Sequence, residues 1–331
     1  MFNSDIWSCS RDDQPLAINS LPAPRREPHD SDRLIFLHIY KTGGTTLNRV
    51  LEREYKFRRI CSVDPNGWQW HYRKILRWSK RRLNRTLVFK GHMPFGLHNV
   101  LGRRARYLTI LRDPVERAVS DYYFARSFAP HVNHRAAQNL SLEEYFLEKH
   151  EHNLQTQIVA GPAADDFLST PCGPVAAYTR LRGFYLKHSI DHLSEVCDDA
   201  TLERAKRNLA RHFEVVGITE RYDETLALLK ITFGWQVRRY ARFRTTPNRL
   251  PREQIRLSTA ELIRKWERFD VALYEYAQGL FEEALAARRA EVEEALATIC
   301  AARISTTENR YYFYSSIARA MLSRLYSSLS F

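Results

Sequence analysis

Residues 33–55 read RLIFLHIYKTGGTTLNRVLEREY and combine three features in a row. The stretch opens with RLIFLHI, a nearly continuous apolar run that is typical of a strand buried on both faces of a parallel sheet. It closes with TTLNRVLEREY, a helical pattern that begins at a threonine. A turn of one lysine, one threonine and two glycines, Lys41 to Gly44, joins them. This order predicts a strand that leads through a tight turn into a helix.

Strand-like runs recur along the chain and alternate with helical patterns. The runs are TLVFKGH (86–92), RYLTILR (106–112) and EVVGIT (214–219). Helical patterns separate or follow them at residues 114–128, 141–150, 200–213 and 219–235, and only helical patterns are expected after residue 258. The alternation predicts an α/β fold of P-loop-like type, with three layers in which helices flank a central parallel sheet. Ligands of such folds bind at the carboxyl ends of the strands.

The turn at the end of the first strand suits an anion. Several backbone N–H groups converge there at the start of a helix, whose dipole contributes about 0.3–1 kcal/mol toward a negative group. Gly43 and Gly44 let a ligand approach the backbone, Thr45 and Thr46 add hydroxyl donors, and Lys41 adds a positive charge. In the nucleotide-triphosphate loop GxxxxGK[ST] the lysine follows the glycines, whereas here it precedes them. A solvated helix start with a glycine turn is the alternative interpretation of these residues alone.

A second strand-to-helix junction, TILRDPVERAVSDYYF at 109–124, offers another anion site. Arg112 ends the strand, Pro114 lies in the first helical turn, and Ser120 is expected to face the same end of the sheet. A guanidinium fork and a hydroxyl together suit a terminal phosphate. Two anion sites on two strands of one sheet predict a ligand with two separated anionic ends.

Composition and charge set the remaining bounds. The chain has 331 residues, of which 44% are hydrophobic, and a formal net charge of +13, which indicates an anionic partner without choosing its class. It contains no apolar run of about 18 residues and no apolar centre of a signal peptide, so a soluble, cytoplasmic protein without a transmembrane segment is expected. The 5 cysteines lack metal-ligand spacing, and no metal is predicted. Cys172 and Cys197 could pair in an oxidising compartment.

The two junctions together resemble the 5′-phosphosulfate loop and the 3′-phosphate motif of sulfotransferases that use 3′-phosphoadenosine 5′-phosphosulfate (PAPS). Further segments follow the order of the glycan-modifying branch, which includes the uronyl and heparan sulfate 2-O-sulfotransferases and their bacterial relatives. These segments are GHMPFG (91–96), NLQTQIVAG (153–161), LERAKRNL (202–209), residues 213–235 and VALYEYAQGLF (271–281). The resemblance covers residues 33–282, which are expected to form the sulfotransferase domain. The prolines and missing periodicity of residues 1–32 predict a flexible N-terminal arm, and helical patterns predict a C-terminal helical extension at 283–331.

The same resemblance implies a role for individual residues. Those expected to hold the 5′-phosphosulfate are Lys41, Thr42, Gly43, Gly44, Thr45 and Thr46. Arg112 and Ser120 are expected to hold the 3′-phosphate. PAPS is then the donor, 3′-phosphoadenosine 5′-phosphate (PAP) the product, and the acceptor a glycan or another hydroxyl compound, acidic acceptors included; nucleic acid is not an expected partner. The chain departs from the family at Tyr40, where proline is frequent, and at Gln157, where arginine is frequent.

Sulfuryl transfer to a hydroxyl requires a base and a positive charge at the leaving phosphate. His92 aligns with the catalytic histidine of the family, and an imidazole of ordinary pKa is matched to neutral pH. Lys41 is expected to bind the bridging oxygen of the leaving phosphate and to act as its acid. A structural histidine in a turn is the alternative for His92 alone. The residues given little weight, as acceptor or nucleotide contacts, are His98, Lys90, Arg117, Arg244, Thr245, Thr246 and the basic segment 73–85.

Two other functions fit part of the pattern. A P-loop-like phosphotransferase, such as a kinase, would need magnesium and a carboxylate to hold it, and no obvious acid follows a candidate strand near the site. A non-catalytic polyanion-binding protein would explain the charge, but not two ordered phosphate motifs with a histidine between them. The sequence therefore predicts a PAPS-dependent O-sulfotransferase.

Overall fold

The computed structural model describes residues 33–63, 68–101, 105–162, 197–241 and 249–302. Within them a five-stranded parallel sheet has the order β2-β3-β1-β4-β5. Its strands are β1 (Arg33–Leu37), β2 (Ile60–Val63), β3 (Val88–Gly91), β4 (Ala105–Leu111) and β5 (Phe213–Ile218). The predicted α/β fold with a central parallel sheet is confirmed.

The central strand β1 explains the apolar run at the start of the fold. All five of its residues are buried, and β3 and β4 pair with its two sides, so it is the middle strand of the sheet. Leu37 is in register with Gly91 on one side and with Thr109 on the other. The strands therefore end close to one level, which we call the carboxyl edge of the sheet.

Helices flank this sheet, and their starts follow ordinary capping chemistry. Asp113 caps the helix that begins at Pro114, accepting from the Glu116 backbone N–H at 3.0 Å. Ser141 and Glu144 form a capping box. The helices are α1 (Gly44–Glu54), α2 (Trp68–Leu76), α3 (Lys80–Arg85), α4 (Leu97–Leu101), α5 (Pro114–Ser127), α6 (His134–Asn139), α7 (Leu142–Lys149), α8 (Leu154–Ala160), α9 (Asp199–His212), α10 (Tyr222–Phe233), α11 (Leu257–Trp266), α12 (Arg268–Ala287) and α13 (Arg289–Thr298).

Three strands of the described residues lie where none was predicted. β2 has only four residues, ICSV, and is half-exposed at the end of the sheet, so its sequence lacks a buried-strand pattern. Two further short strands, β6 (Arg239–Ala241) and β7 (Cys300–Ala302), pair in parallel. The expectation of helices alone after residue 258 is therefore wrong at Cys300–Ala302, because pairing with a distant segment creates that strand.

Several predicted features lie outside the described residues. They are the arm at 1–32, Cys172, the triplet Arg244 to Thr246 and the final helix after residue 303. Cys61 and Cys197 carry free thiols, and burial raises the pKa of each to about 12. Across the described ranges, every helix is too short or too polar to cross a membrane. The division of the chain at residues 32 and 282 stays a prediction.

Candidate active site

The carboxyl edge gathers the residues that the sequence singled out. His92 follows β3, the turn from Tyr40 to Gly43 follows β1, and Arg112 follows β4. Because these strands are neighbours in one parallel sheet, segments far apart in the chain meet here.

The turn before α1 requires its glycines. Gly43 has a φ of +78°, and a Cβ at this position would lie 3.0 Å from the ring of Tyr222. A Cβ on Gly44 would lie 2.0 Å from the ring of His38, so the imidazole occupies the space that a side chain would need. Lys41 also has a positive φ, of 67°. The turn is thus a tightly bent backbone with rings packed against it.

His92 is held in one orientation. Its Nδ1 lies 2.7 Å from the carbonyl oxygen of His38. A carbonyl only accepts, so Nδ1 carries the proton and Nε2 carries the lone pair. The ring stacks on Tyr40, with centroids 3.7 Å apart and planes at 10°, and lies 4.0 Å from the His38 ring on centroids. In the neutral ring Nε2 is then the nitrogen that can accept a proton, and the ring stacks on Tyr40, the residue before Lys41.

Arg112 joins the two predicted anion motifs. Its Nη1 donates to the carbonyl oxygen of Lys41 at 2.9 Å. Its Nη2 lies 3.5 Å from Glu116, and its Nε lies 3.8 Å from Glu220. The Nε atom is buried and has no hydrogen-bond partner within the described residues. Burial lowers the pKa of Arg112, and the charge of Arg249 acts in the same direction.

One face of α5 lies alongside both motifs. Glu116, Ser120 and Phe124 are spaced four residues apart and therefore share a face of this helix. Glu116 contacts Arg112, and the ammonium of Lys41 lies 3.9 Å from the centroid of the Phe124 ring. Ser120, buried at 4% exposure, stands between these two contacts on the helix. The structure thus brings Lys41 and Arg112 together and places Ser120 on the face of α5 whose neighbouring residues contact them.

Several residues of this region were not assigned from the sequence. Glu116 receives ion pairs from both Arg112 and Arg249. Thr219 follows β5, and its hydroxyl lies 3.0 Å from the Thr42 carbonyl oxygen and 2.9 Å from that of Leu111. Its place at the end of the predicted strand 214–219 was a usable signal for Thr219. Glu116 and Arg249 gave none, because their partners lie on other elements.

Three residues given little weight pack elsewhere. Lys90 forms an ion pair with Glu52 at 2.8 Å. His98 has its Nδ1 2.9 Å from the hydroxyl of Tyr107. Arg117 is buried at 1% exposure among carboxylates of α12 and the loop before it. Each of these side chains has a structural partner, which accounts for its position without an acceptor.

The C-terminal end of the basic segment 73–85 lies at the other end of the sheet from His92, whereas its N-terminal end adjoins Tyr72, whose hydroxyl donates to the Pro94 carbonyl oxygen at 3.0 Å. Helix α3 ends at Arg85, shortly before β3 starts at Val88. The Leu87 N–H donates to the Arg59 carbonyl at 2.9 Å, so both residues lie at the amino end of the sheet, just before β3 and β2 begin. The C-terminal part of this segment is therefore not a surface next to the candidate base.

The described residues contain no group of three or more His, Cys, Asp or Glu side chains that could hold a metal ion. The charged groups described at this site are the cations Lys41, Arg112 and Arg249 and the carboxylates Glu116 and Glu220.

Comparisons with known proteins bear on this geometry. The family model for galactose-3-O-sulfotransferases matches residues 4–308. Galactose-3-O-sulfotransferase 2 of Homo sapiens is 24% identical over 263 residues, which is 73% of this chain and 58% of that protein. Heparin sulfate O-sulfotransferase of Drosophila melanogaster is 24% identical over 277 residues, 75% of this chain and 72% of the relative. Heparan-sulfate 6-O-sulfotransferase 2 of Danio rerio is 26% identical over 293 residues, 76% and 58% of the two chains.

These matches confirm the predicted resemblance to glycan sulfotransferases. The chain spans 58% of the length of two of the three relatives. The prediction of a cytoplasmic protein is wrong, because the glycan sulfotransferases that match the chain point to a compartment other than the cytoplasm. That prediction rested on the polar character of the first 30 residues given, which does not fix the compartment of the protein.

Proposed function

The chain belongs to the galactose-3-O-sulfotransferase family, and on that premise we propose that it moves a sulfuryl group from PAPS to a hydroxyl of a carbohydrate acceptor and leaves PAP. The observation that carries this proposal is the position of His92. Its ring is fixed between Tyr40 and His38, with Nδ1 bonded to the His38 carbonyl, at the strand end next to the Lys41 turn.

The proposed base is Nε2 of His92. The bond from sulfur to the bridging oxygen breaks, a bond from sulfur to the acceptor oxygen forms, and the acceptor proton moves to Nε2. The His38 carbonyl then stabilises the imidazolium through the Nδ1–H bond at 2.7 Å. A positioned base of this kind contributes about 10²–10⁴ in rate.

The proposed donor site extends from the turn to α5. The backbone from Lys41 to Thr46 would hold the 5′-phosphosulfate, and Arg112 with Ser120 would hold the 3′-phosphate. Two observations support this fit: the turn leaves no room for side chains at Gly43 and Gly44, and Nε of Arg112 is a buried donor without a hydrogen-bond partner in the described chain. A phosphate oxygen would satisfy that donor.

Lys41 is proposed to neutralise the charge that grows on the leaving phosphate. In the structure its ammonium lies over the Phe124 ring at 3.9 Å. A cation–π contact is worth about 0.5–2 kcal/mol. A bound dianion would draw the ammonium away from the ring at modest cost, since a charge-assisted hydrogen bond replaces the contact.

The proposed acceptor is a glycan. Galactose and heparan sulfate appear in the names of the relatives, so both acceptor types are to be tested. We propose incubating the chain with donor labelled in the sulfuryl group, together with galactose-terminated oligosaccharides or desulfated heparan sulfate. Label should appear in one of the glycans. Label in neither, with donor bound, would refute carbohydrate sulfation.

A binding test separates the proposed activity from its rivals. PAP, ATP with magnesium, and heparin are compared for the shift that each produces in the thermal unfolding midpoint. A ligand that prefers the native state stabilises it by mass action, so PAP should give the largest shift. A larger shift with ATP and magnesium would favour a phosphotransferase, and one with heparin alone a polyanion-binding protein.

A further inference from the structure

Gln155 holds the backbone of Arg112. Its side-chain Oε1 accepts from the Arg112 N–H at 3.0 Å, and its Nε2 donates to the Arg112 carbonyl at 2.9 Å. Arg112 follows Leu111, the last residue of β4 in register with β5. The amide of Gln155 therefore continues the hydrogen bonding at the point where the neighbouring strand stops.

Gln155 is itself fixed from a distant helix. It is fully buried in the first turn of α8, at 0% exposure. The N–H groups of Gln155 and Thr156 donate to the Asp270 carboxylate at 3.1 and 2.7 Å, and the Thr156 hydroxyl donates to it at 2.8 Å. Asp270 is buried in α12 and lies 3.8 Å from Arg117. These contacts fix the position of the Gln155 side-chain amide, which bonds the backbone of Arg112.

We propose that Gln155 is a positioning residue for the nucleotide site. By fixing both backbone polar groups of Arg112, it sets the direction in which the guanidinium leaves the carboxyl edge, although it does not contact the ligand. The inference rests on the proposed role of Arg112 at the 3′-phosphate. Binding groups must be held within about 0.5 Å and 10–20° of their working geometry, and the bonds from Gln155 act on that scale.

A positioning role has a specific signature. PAP and adenosine 5′-monophosphate differ only in the 3′-phosphate. If Arg112 is held less firmly, the affinity for PAP should fall and the affinity for the monophosphate should stay almost unchanged. General damage to the fold would lower both affinities. Misplacement by about 1 Å can cost up to about 10²-fold, so we expect PAP to bind roughly tenfold more weakly.

The experiment compares Gln155→Met with Gln157→Met in the full chain, by calorimetric titration of both nucleotides. Methionine keeps the length of the side chain and removes the amide. Gln157 is the matched control, because it lies in the same helix and donates to the His152 carbonyl at 3.0 Å instead of to Arg112. Arg112→Ala is the reference for complete loss of the guanidinium.

The expected result is a selective loss for PAP in Gln155→Met and none in Gln157→Met. Equal losses for both nucleotides, or wild-type binding of both, would overturn the inference. If Arg112→Ala lacks the selective loss, the proposed 3′-phosphate site has failed instead. Should Gln155→Met not fold, Gln155→Asn is used, since its shorter amide cannot reach both Arg112 groups, and the same selective loss is required of it.

Discussion

His92→Asn is the substitution that tests the proposed chemistry most directly. The asparagine amide can still donate to the His38 carbonyl, the partner of Nδ1 at 2.7 Å, but it offers no group that can take a proton at neutral pH. We expect turnover to fall by about 10²–10⁴. That loss corresponds to about 3–5 kcal/mol of transition-state stabilisation. Affinity for PAP should stay within about twofold.

The same substitution has a calculable effect on stability. It removes two ring contacts, with Tyr40 at 3.7 Å and with His38 at 4.0 Å on centroids. Aromatic pairs contribute about 0.5–1.5 kcal/mol each, so the free energy of unfolding should fall by about 1–3 kcal/mol. His92→Ala also loses the bond to the carbonyl, worth about 1 kcal/mol more.

The measurement is single-turnover transfer of labelled sulfuryl at saturating donor, paired with calorimetric titration of PAP. His98→Asn serves as the control, because His98 is bonded to Tyr107 outside the site and its replacement should lower stability without lowering turnover. The reasoning is refuted if His92→Asn keeps more than about a tenth of the wild-type rate, a loss too small for a general base. Parallel loss of PAP binding would show instead that His92 is structural.

Three further predictions concern the supporting residues. Arg112→Ala should weaken the binding of PAP by about 30-fold or more, since removing one partner of a buried charge pair costs about 2–5 kcal/mol. The binding of adenosine 5′-monophosphate should weaken far less. Equal losses for the two nucleotides in calorimetry would count against the assignment. Gly44→Ala, whose new Cβ would lie 2.0 Å from a buried imidazole, should destabilise by about 1–3 kcal/mol in urea titrations. Gly279→Ala, whose new Cβ would have no described atom within 4 Å, should stabilise by about 0.5–1 kcal/mol; similar values for both would contradict the geometry of the turn. Burial has the largest single effect and raises the pKa of Glu267, but Arg117, His152 and His150 together outweigh it, so the pKa falls from 4.5 to about 2. Its stabilising effect is therefore complete above pH 4.5 and lost as the pH falls toward 2, an effect of about 3 kcal/mol; Glu267→Gln should flatten the dependence of unfolding free energy on pH in that window, and an unchanged slope would disprove it.

The fold was predictable where local signals were strong. Strand β1 is buried on both faces and reads as one apolar run, and α5 begins with an aspartate cap and a proline. β2 and β7 were missed because their existence depends on pairing, not on their own residues. A segment of three or four residues carries too little pattern to predict a strand without its partner.

The candidate site also combines features that the sequence predicts with features that only the folded structure shows. The turn at Lys41 and the residue Arg112 could be proposed from the chain alone, because each lies at the end of a recognisable strand, and parallel strands bring their carboxyl ends to one edge. His92 lies at such an end too, but it was chosen through the resemblance to the family. The sequence did not show which ring nitrogen of His92 carries the proton, because the carbonyl that decides it belongs to His38, 54 residues away. The hydrogen bond between Gln155 and Arg112 likewise joins residues that are 43 positions apart. Short-range patterns specify which backbone segments end at this edge, whereas hydrogen bonds and ring contacts between remote segments set the direction of each side chain, and those arise only when the chain is folded.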